Sequence, residues 1–328
     1  MSFLVAFDLE GPLSPQDNAY EVMGCVPRGY ELFERLSRYD DILTLRGRED
    51  YEPGDTLMLL VPFLLANGLS EADVRNISAR AALVPGAAET VQALHGRGLP
   101  VVIISTSYCV HAHSIADRIG VPHDRVACTR LPIEDIRTRI THEDMELILA
   151  VQERLLSITL SAEEEINRIC DSFFWSELPG RPLGRLIEQV KVVGGARKTA
   201  ALSMFLDRFG VETGMAVAVG DSITDFKMLT AVEQAGGLAI VFNGNEYALP
   251  YGTCGVAAAD LRAILPVVEV FIESGLPAAR SLVEELASRP VPEEGPVYHW
   301  LPGADTDKVL PTHKKFRKLL RGQAAKLG

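Results

Sequence analysis

Asp8 and Glu10 stand two residues apart directly behind the apolar run Phe3-Leu4-Val5-Ala6-Phe7, and Gly11 and Pro12 follow them. A carboxylate at the exit of a buried parallel strand points into the crevice where open α/β sheets bind ligands. If strand geometry persists, the second acid falls on the same side. Two such groups can attract a divalent cation or divide acid and base roles between them. Asp221 and Asp225 form a second acidic pair, four residues apart, after the apolar run 215–219, and Gly220 allows the sharp turn between. A helix N-cap would use one of these acids but has no need of both, and their mutual repulsion favours a bound cation. Ser105-Thr106-Ser107 closes the run 101–104, where a hydroxyl and backbone N–H groups suit a phosphate oxygen. A serine or threonine there also suits an N-cap. Lys198, in the run Gly194-Gly195-Ala196-Arg197-Lys198-Thr199, offers the positive charge that such an acidic crevice needs. Lys191 competes for that role; Lys198 is preferred because it opens the helix that leads back to the strand at 215.

The elements that must position these groups follow from short valine- and isoleucine-rich runs at 3–7, 101–104, 126–129, 215–219 and 238–242, with a further strand near 255–257. Their alternation with helical segments predicts an α/β fold, a Rossmann-like parallel sheet with helices on both faces. Residues 17–84 and 135–190 carry helical periodicity without strand runs and are expected to be helical cap insertions. The predicted core is therefore 1–16, 85–134 and 191–265. A C-terminal helical extension, 266–328, completes the chain. Within this region the pattern gives an apolar helix over 261–274, another around 278–288, a turn-rich stretch over 290–303 and a basic helix at Lys314-Lys315-Phe316-Arg317-Lys318. The basic segment reads as a solvated helix face, or as a contact for an acidic partner.

The four strand ends, taken in order, resemble the motifs of the haloacid dehalogenase-like hydrolase superfamily. Asp8-Leu9-Glu10-Gly11 resembles its first motif, Ser105 its second, Lys198 its third and Gly220-Asp221-Ser222-Ile223-Thr224-Asp225 its fourth. The resemblance implies that Asp8 attacks phosphorus and forms an aspartyl-phosphate intermediate. It implies Mg²⁺ held by Asp8, the Glu10 backbone carbonyl and Asp221, with Asp225 bound directly or through water. Ser105 and Lys198 would hold the phosphoryl oxygens, and Gly11, Thr106 and Asn243 would bind substrate. Glu10 departs from the usual aspartate, and its extra methylene moves the carboxyl by about 1.5 Å. A misplacement on that scale can cost about 10²-fold in rate. Pro12 replaces the common threonine, stiffening the turn. The runs Tyr39-Asp40-Asp41 and Phe242-Asn243-Gly244-Asn245-Glu246-Tyr247 narrow the resemblance to an archaeal-type subgroup. Some of its members are labelled subunit R of energy-converting hydrogenase A.

The net charge of −12 disfavours nucleic acid as a partner and requires any anionic ligand to meet local positive charge or a metal. Five scattered cysteines, without a CxxC pair, suggest reduced thiols rather than disulfides or metal ligands. The run of Met1-Ser2 straight into a strand, and the lack of any stretch near 18 to 20 apolar residues, give a cytoplasmic location with no membrane span as the expectation. Arg28, Arg46 and Arg48 in the first insertion are candidates for meeting an anionic substrate. Tyr108, His111 and His113 are candidates for lining the cleft, although the histidines also suit a plain first-turn helix position. The reading that results is a Mg²⁺-dependent phosphatase of a small phosphorylated metabolite. The alternatives are a regulatory or binding subunit of a larger complex that keeps the phosphate and metal site, and transfer of the phosphoryl group to an acceptor other than water. The helical insertions and basic tail would then be docking surfaces.

Overall fold

The computed structural model describes residues 2–290 and 295–326. Seven strands among them form one sheet in the order β3-β2-β1-β4-β5-β6-β7. They are β1 (Leu4–Phe7), β2 (Val101–Tyr108), β3 (Val126–Thr129), β4 (Ala216–Gly220), β5 (Leu238–Phe242), β6 (Cys254–Ala257) and β7 (Val297–Trp300). The first six are parallel, and β7 joins antiparallel to β6 with Tyr298 opposite Val256. Burial on both faces explains why the parallel strands read as continuous apolar runs. In β1, Val5 and Phe7 pack under helices Ala87–Gly96, Cys109–Ile119 and Leu265–Ser288, whereas Leu4 and Ala6 face helices Ala196–Phe209 and Phe226–Gln234.

Register places the chemistry. Phe7 lies opposite both Ile103 of β2 and Val219 of β4, so β1 and β4 end at nearly one level while β2 runs on beside them to Tyr108. The N–H of Asp8 continues the ladder by donating to the Val219 carbonyl at 2.8 Å. Asp8 and Asp221 thus follow adjacent strand ends, with Ser105 beside them inside β2.

Residues of the two inserted segments share one hydrophobic core, with Leu60, Phe63 and Tyr39 from the first meeting Ile148, Leu155 and Phe173 from the second. Polar contacts tie the segments together: Tyr39 Oη donates to Asp171 at 2.5 Å and accepts from Trp175 Nε1 at 2.6 Å, and Arg35 donates to the Ile158 carbonyl at 2.7 Å. No single helix among the described residues is long and apolar enough to cross a membrane. The most apolar one, Thr56–Ala66, is buried within this helical layer.

Three sequence expectations are corrected. The C-terminal extension is not wholly helical, because β7 emerges from the turn-rich stretch and adds to the sheet edge. Of the expected pair of helices over 261–288, which meet at a kink at Gly275 where φ is positive, the first starts at Leu265 and not at 261, after a 3₁₀ turn at Leu261–Ile264. Cys109 and Cys128 are paired as a disulfide with Cα atoms 5.2 Å apart. Spacing concealed the pair: 19 residues separate the two, and parallel pairing of β2 with β3 brings them side by side.

Candidate active site

Asp8 is almost fully buried and takes two donors on Oδ1: the Leu9 N–H at 2.7 Å and Lys198 Nζ at 2.7 Å. Lys198 sits in the first turn of helix Ala196–Phe209 and is itself buried, with Nζ bridging Asp8 and Asp225, each at 2.7 Å. Lys191, its competitor, is exposed. Burial alone would lower the Lys198 pKa, but Asp225 and Asp8 outweigh it and hold the ammonium above its ordinary value. Burial, then repulsion from Asp225, pushes the Asp8 carboxyl well up, against the pull of Lys198. A further cation beside Asp8 would favour its ionised form.

Asp225 closes the loop from which it comes. Its Oδ2 accepts from the N–H groups of Asp221 at 3.0 Å and Ser222 at 3.1 Å, and Oδ1 holds Lys198. Both oxygens are committed, so its role is to shape the 220–225 turn and seat the lysine. Gly220 is required there, since a Cβ would lie 2.6 Å from the Asp225 carboxyl.

Asp221 is different. Oδ2 receives Arg317 Nη1 and, at 2.9 Å, Arg321 Nη1, whereas Oδ1 is buried without a hydrogen-bond partner. Asp8, Asp221 and Asp225 offer carboxylate oxygens within 4.8 Å of one another. An orphaned buried carboxylate oxygen in such a cluster has the hard-oxygen chemistry that Mg²⁺ takes, so the residues present fit a divalent cation, principally through Asp8 and Asp221.

Glu10 reaches away from this cluster toward the cavity. Its Oε1 accepts from Ser107 Oγ at 2.6 Å and from the Asn18 N–H at 2.9 Å. Burial first, and then the nearby Asp17, raise its pKa from 4.5 to about 7, against those two hydrogen bonds. That is the range in which one carboxyl can both give and take a proton near neutral pH. The longer side chain is therefore held by partners of its own: a serine at the end of β2 and the first turn of helix Asn18–Met23.

Ser105 and Thr106 lie inside β2, which runs on to Tyr108 with a shift of register past Ile104, and not in a turn after it. Ser105 Oγ accepts the Ser107 N–H at 3.1 Å, which leaves its own proton to donate. Thr106 lines a cavity of about 150 Å³ between the sheet and the helical layer, together with Asp8, Glu10, Asp17, Asp40 and Arg321. Asp40, like Glu10, is raised to about 7, by burial against the opposing bonds from Tyr51 and Thr56.

The roof of this cavity is clasped to the core. Arg197 donates to both oxygens of Asp55 at 2.5 and 2.9 Å, and Glu52 accepts from Lys227 at 2.8 Å and from the Ala196 N–H at 3.0 Å. Tyr108 Oη donates to the Leu57 carbonyl at 2.8 Å.

Several expected site residues have other work. The Gly11 N–H is committed to the Ser14 carbonyl at 2.7 Å and is not available to substrate. Gly11 matters instead because its φ is +108° and a Cβ would lie 2.1 Å from Asp221 Oδ2. Asn243 does not line the cavity, since its amide is spent donating to the Ala258 carbonyl at 2.8 Å and accepting the Ala258 N–H at 2.9 Å, tying β5 to β6. Arg28 pairs with Glu31, and Arg48 stacks over Trp175 at 3.8 Å; neither lines the cavity, nor does Arg46. His111 is buried under its own helix, and His113 lies against His123 with ring centroids 4.0 Å apart.

Sequence reasoning missed Asp17 and Arg321, and it named Ser107 and Arg317 only within longer runs, without their contacts to Glu10 and Asp221. The expectation of a solvated basic face fails for Arg317, which is buried with Val309, His313 and Phe316 on helix Thr306–Arg321. The signal was present: Val309, His313, Arg317 and Arg321 recur at four-residue steps along one helix face.

A family model of haloacid dehalogenase-like hydrolases matches residues 5–157. Gene product AF1437 from Archaeoglobus fulgidus has a solved structure that is 33% identical, with 100% of this chain and 99% of that one aligned and a TM-score of 0.86. A phospho-aspartyl intermediate analogue of phosphoserine phosphatase aligns over 81% of this chain and 99% of its own at 19% identity and a TM-score of 0.53. A substrate-bound phosphoserine phosphatase complex aligns over 82% and 99% at 18% identity and the same TM-score. At those identities the two phosphatases establish the fold alone. No curated protein matches the chain.

Proposed function

Because the chain belongs to the haloacid dehalogenase-like hydrolase superfamily, we propose that it is a Mg²⁺-dependent hydrolase of a small phosphomonoester, working through an aspartyl-phosphate on Asp8. The observation that carries this reading is the division of labour between two carboxyls on one strand end. Asp8 is gripped by Lys198 at 2.7 Å, and Glu10 titrates near 7 at the wall of the same cavity.

In the first half-reaction an Asp8 oxygen forms the new bond to phosphorus as the bond to the leaving oxygen breaks, and protonated Glu10 gives that oxygen its proton. In the second, Glu10 takes a proton from water, the water oxygen bonds to phosphorus, and the bond to Asp8 breaks to release phosphate. Lys198 neutralises charge on the phosphoryl oxygens and on Asp8, and the Ser105 hydroxyl, whose proton is left free to donate, would serve the same group. Asp8 and Asp221 would hold the metal, which when bound supplies further neutralisation of the phosphoryl oxygens. A roof clasped over a cavity of about 150 Å³ supports a small substrate.

Similarity along the full length to the Archaeoglobus fulgidus gene product supports the narrower archaeal-type resemblance. The test is phosphate release from an aryl phosphate and a panel of metabolite phosphomonoesters, with Mg²⁺ or with chelator, for the native chain and Asp8→Asn. Release that needs Mg²⁺ and is lost in Asp8→Asn is expected. Release that survives the substitution would overturn the mechanism.

A further inference from the structure

The helix Thr306–Arg321 is seated on the sheet by His313, whose Nδ1 accepts the Gly244 N–H at 3.2 Å. Gly255 leaves room for the same ring, since a Cβ there would lie 2.9 Å from it. This seating carries Arg317 and Arg321, one helical turn apart, onto Oδ2 of Asp221. Their side chains are only 2% and 5% exposed. Each is braced from behind, with Arg317 Nε donating to the Ala325 carbonyl at 3.2 Å and Arg321 Nε to the Pro15 carbonyl at 3.3 Å.

Guanidinium groups are costly to bury and persist where hydrogen bonds and opposite charge repay the lost hydration. Three buried carboxylates, Asp8, Asp221 and Asp225, here face three buried cations, Lys198, Arg317 and Arg321. These three acids are thus each met by a cation before any divalent cation is added, while Glu10 and Asp17 also draw on Arg321. An incoming phosphate dianion needs a cation with donors to spare. Arg321 spends Nε on Pro15 and Nη1 on Asp221, makes no hydrogen bond through Nη2 among the described residues, and lines the cavity beside Asp8 and Glu10.

We propose that Arg321 is a substrate-binding residue that lets this site take a phosphate dianion without a divalent cation, with Arg317 as the buried counter-ion of Asp221. The proposal rests on the phosphatase reading and adds to it an anion site borrowed from the far end of the chain.

The test is calorimetric titration with inorganic phosphate, first in chelator and then in Mg²⁺, of the native chain, Arg321→Met and Arg321→Lys. A thermal melt of each variant checks folding. Native protein is expected to bind phosphate in chelator. Loss of a charge-assisted contact in Arg321→Met should weaken that binding by roughly ten- to a hundredfold. Arg321→Lys keeps the charge but not the fork and should fall between the two, which preserves the test should the methionine variant fail to fold. Phosphate binding by native protein only in Mg²⁺, or equal affinity in all three chains, would overturn the proposal and leave the phosphatase reading standing. No phosphate binding in either condition would overturn both.

Discussion

Replacing Glu10 by glutamine separates the cost of a buried carboxyl from its use. Glutamine keeps an oxygen to accept from Ser107 and Asn18, and it resembles the protonated acid in shape. In the folded chain Glu10 titrates near 7 instead of 4.5, chiefly through burial. A carboxyl whose pKa rises on folding contributes its full stability while protonated, below 4.5, and loses it as pH climbs through about 7. The shift corresponds to about 3 kcal/mol at most, and to about 2 kcal/mol once the solvent-facing side of the carboxyl is allowed for. Urea unfolding in chelator should therefore find Glu10→Gln gaining about 2 kcal/mol relative to native between roughly pH 5 and pH 8.5. The same substitution should abolish proton transfer to the leaving group. A stability difference that is flat with pH, or that grows toward acid, would refute the assignment of Glu10 as a raised carboxyl.

Gly11→Ala should lower the melting temperature and weaken Mg²⁺ binding measured by calorimetry, because positive φ costs on the order of 1 kcal/mol and the new Cβ displaces Asp221 Oδ2. Arg197→Ala leaves Asp55 buried without its partner; with the arginine 30% exposed, a loss of about 2 kcal/mol in urea unfolding is expected, accompanied by faster proteolysis of the helical layer. Thiol labelling of the denatured, unreduced chain should find Cys25, Cys170 and Cys254 alone, with Cys109 and Cys128 appearing only after reduction.

The strand ends could be read from the sequence because β-branched runs buried on both faces leave a continuous apolar signal, and the first polar residue after each marks the crevice. Asp8, Ser105 and Asp221 were read that way, and Lys198 from the helix that leads back to β4. Charge hid the rest. Arg317 lies in a basic tail that looks solvated, and only its four-residue spacing from Val309 and His313 betrays a face packed on the sheet. Asn243 erred in the other direction: a polar residue at a strand end can equally fasten two strands, as its amide does with Ala258. β7 follows a turn-rich stretch and is four residues long, too short for alternation to register. The Cys109–Cys128 pair depends on which strands are neighbours, and that information lies in topology and not in spacing.

The most direct trial of Asp8 as the phosphoryl acceptor needs no substrate. Beryllofluoride mimics a phosphoryl group on an aspartate, and fluorine NMR in Mg²⁺ reads its capture. Native protein is expected to give bound fluorine signals that vanish in Asp8→Asn while the fold is retained. No bound signal from the native chain, or an unchanged signal from Asp8→Asn, would contradict the account.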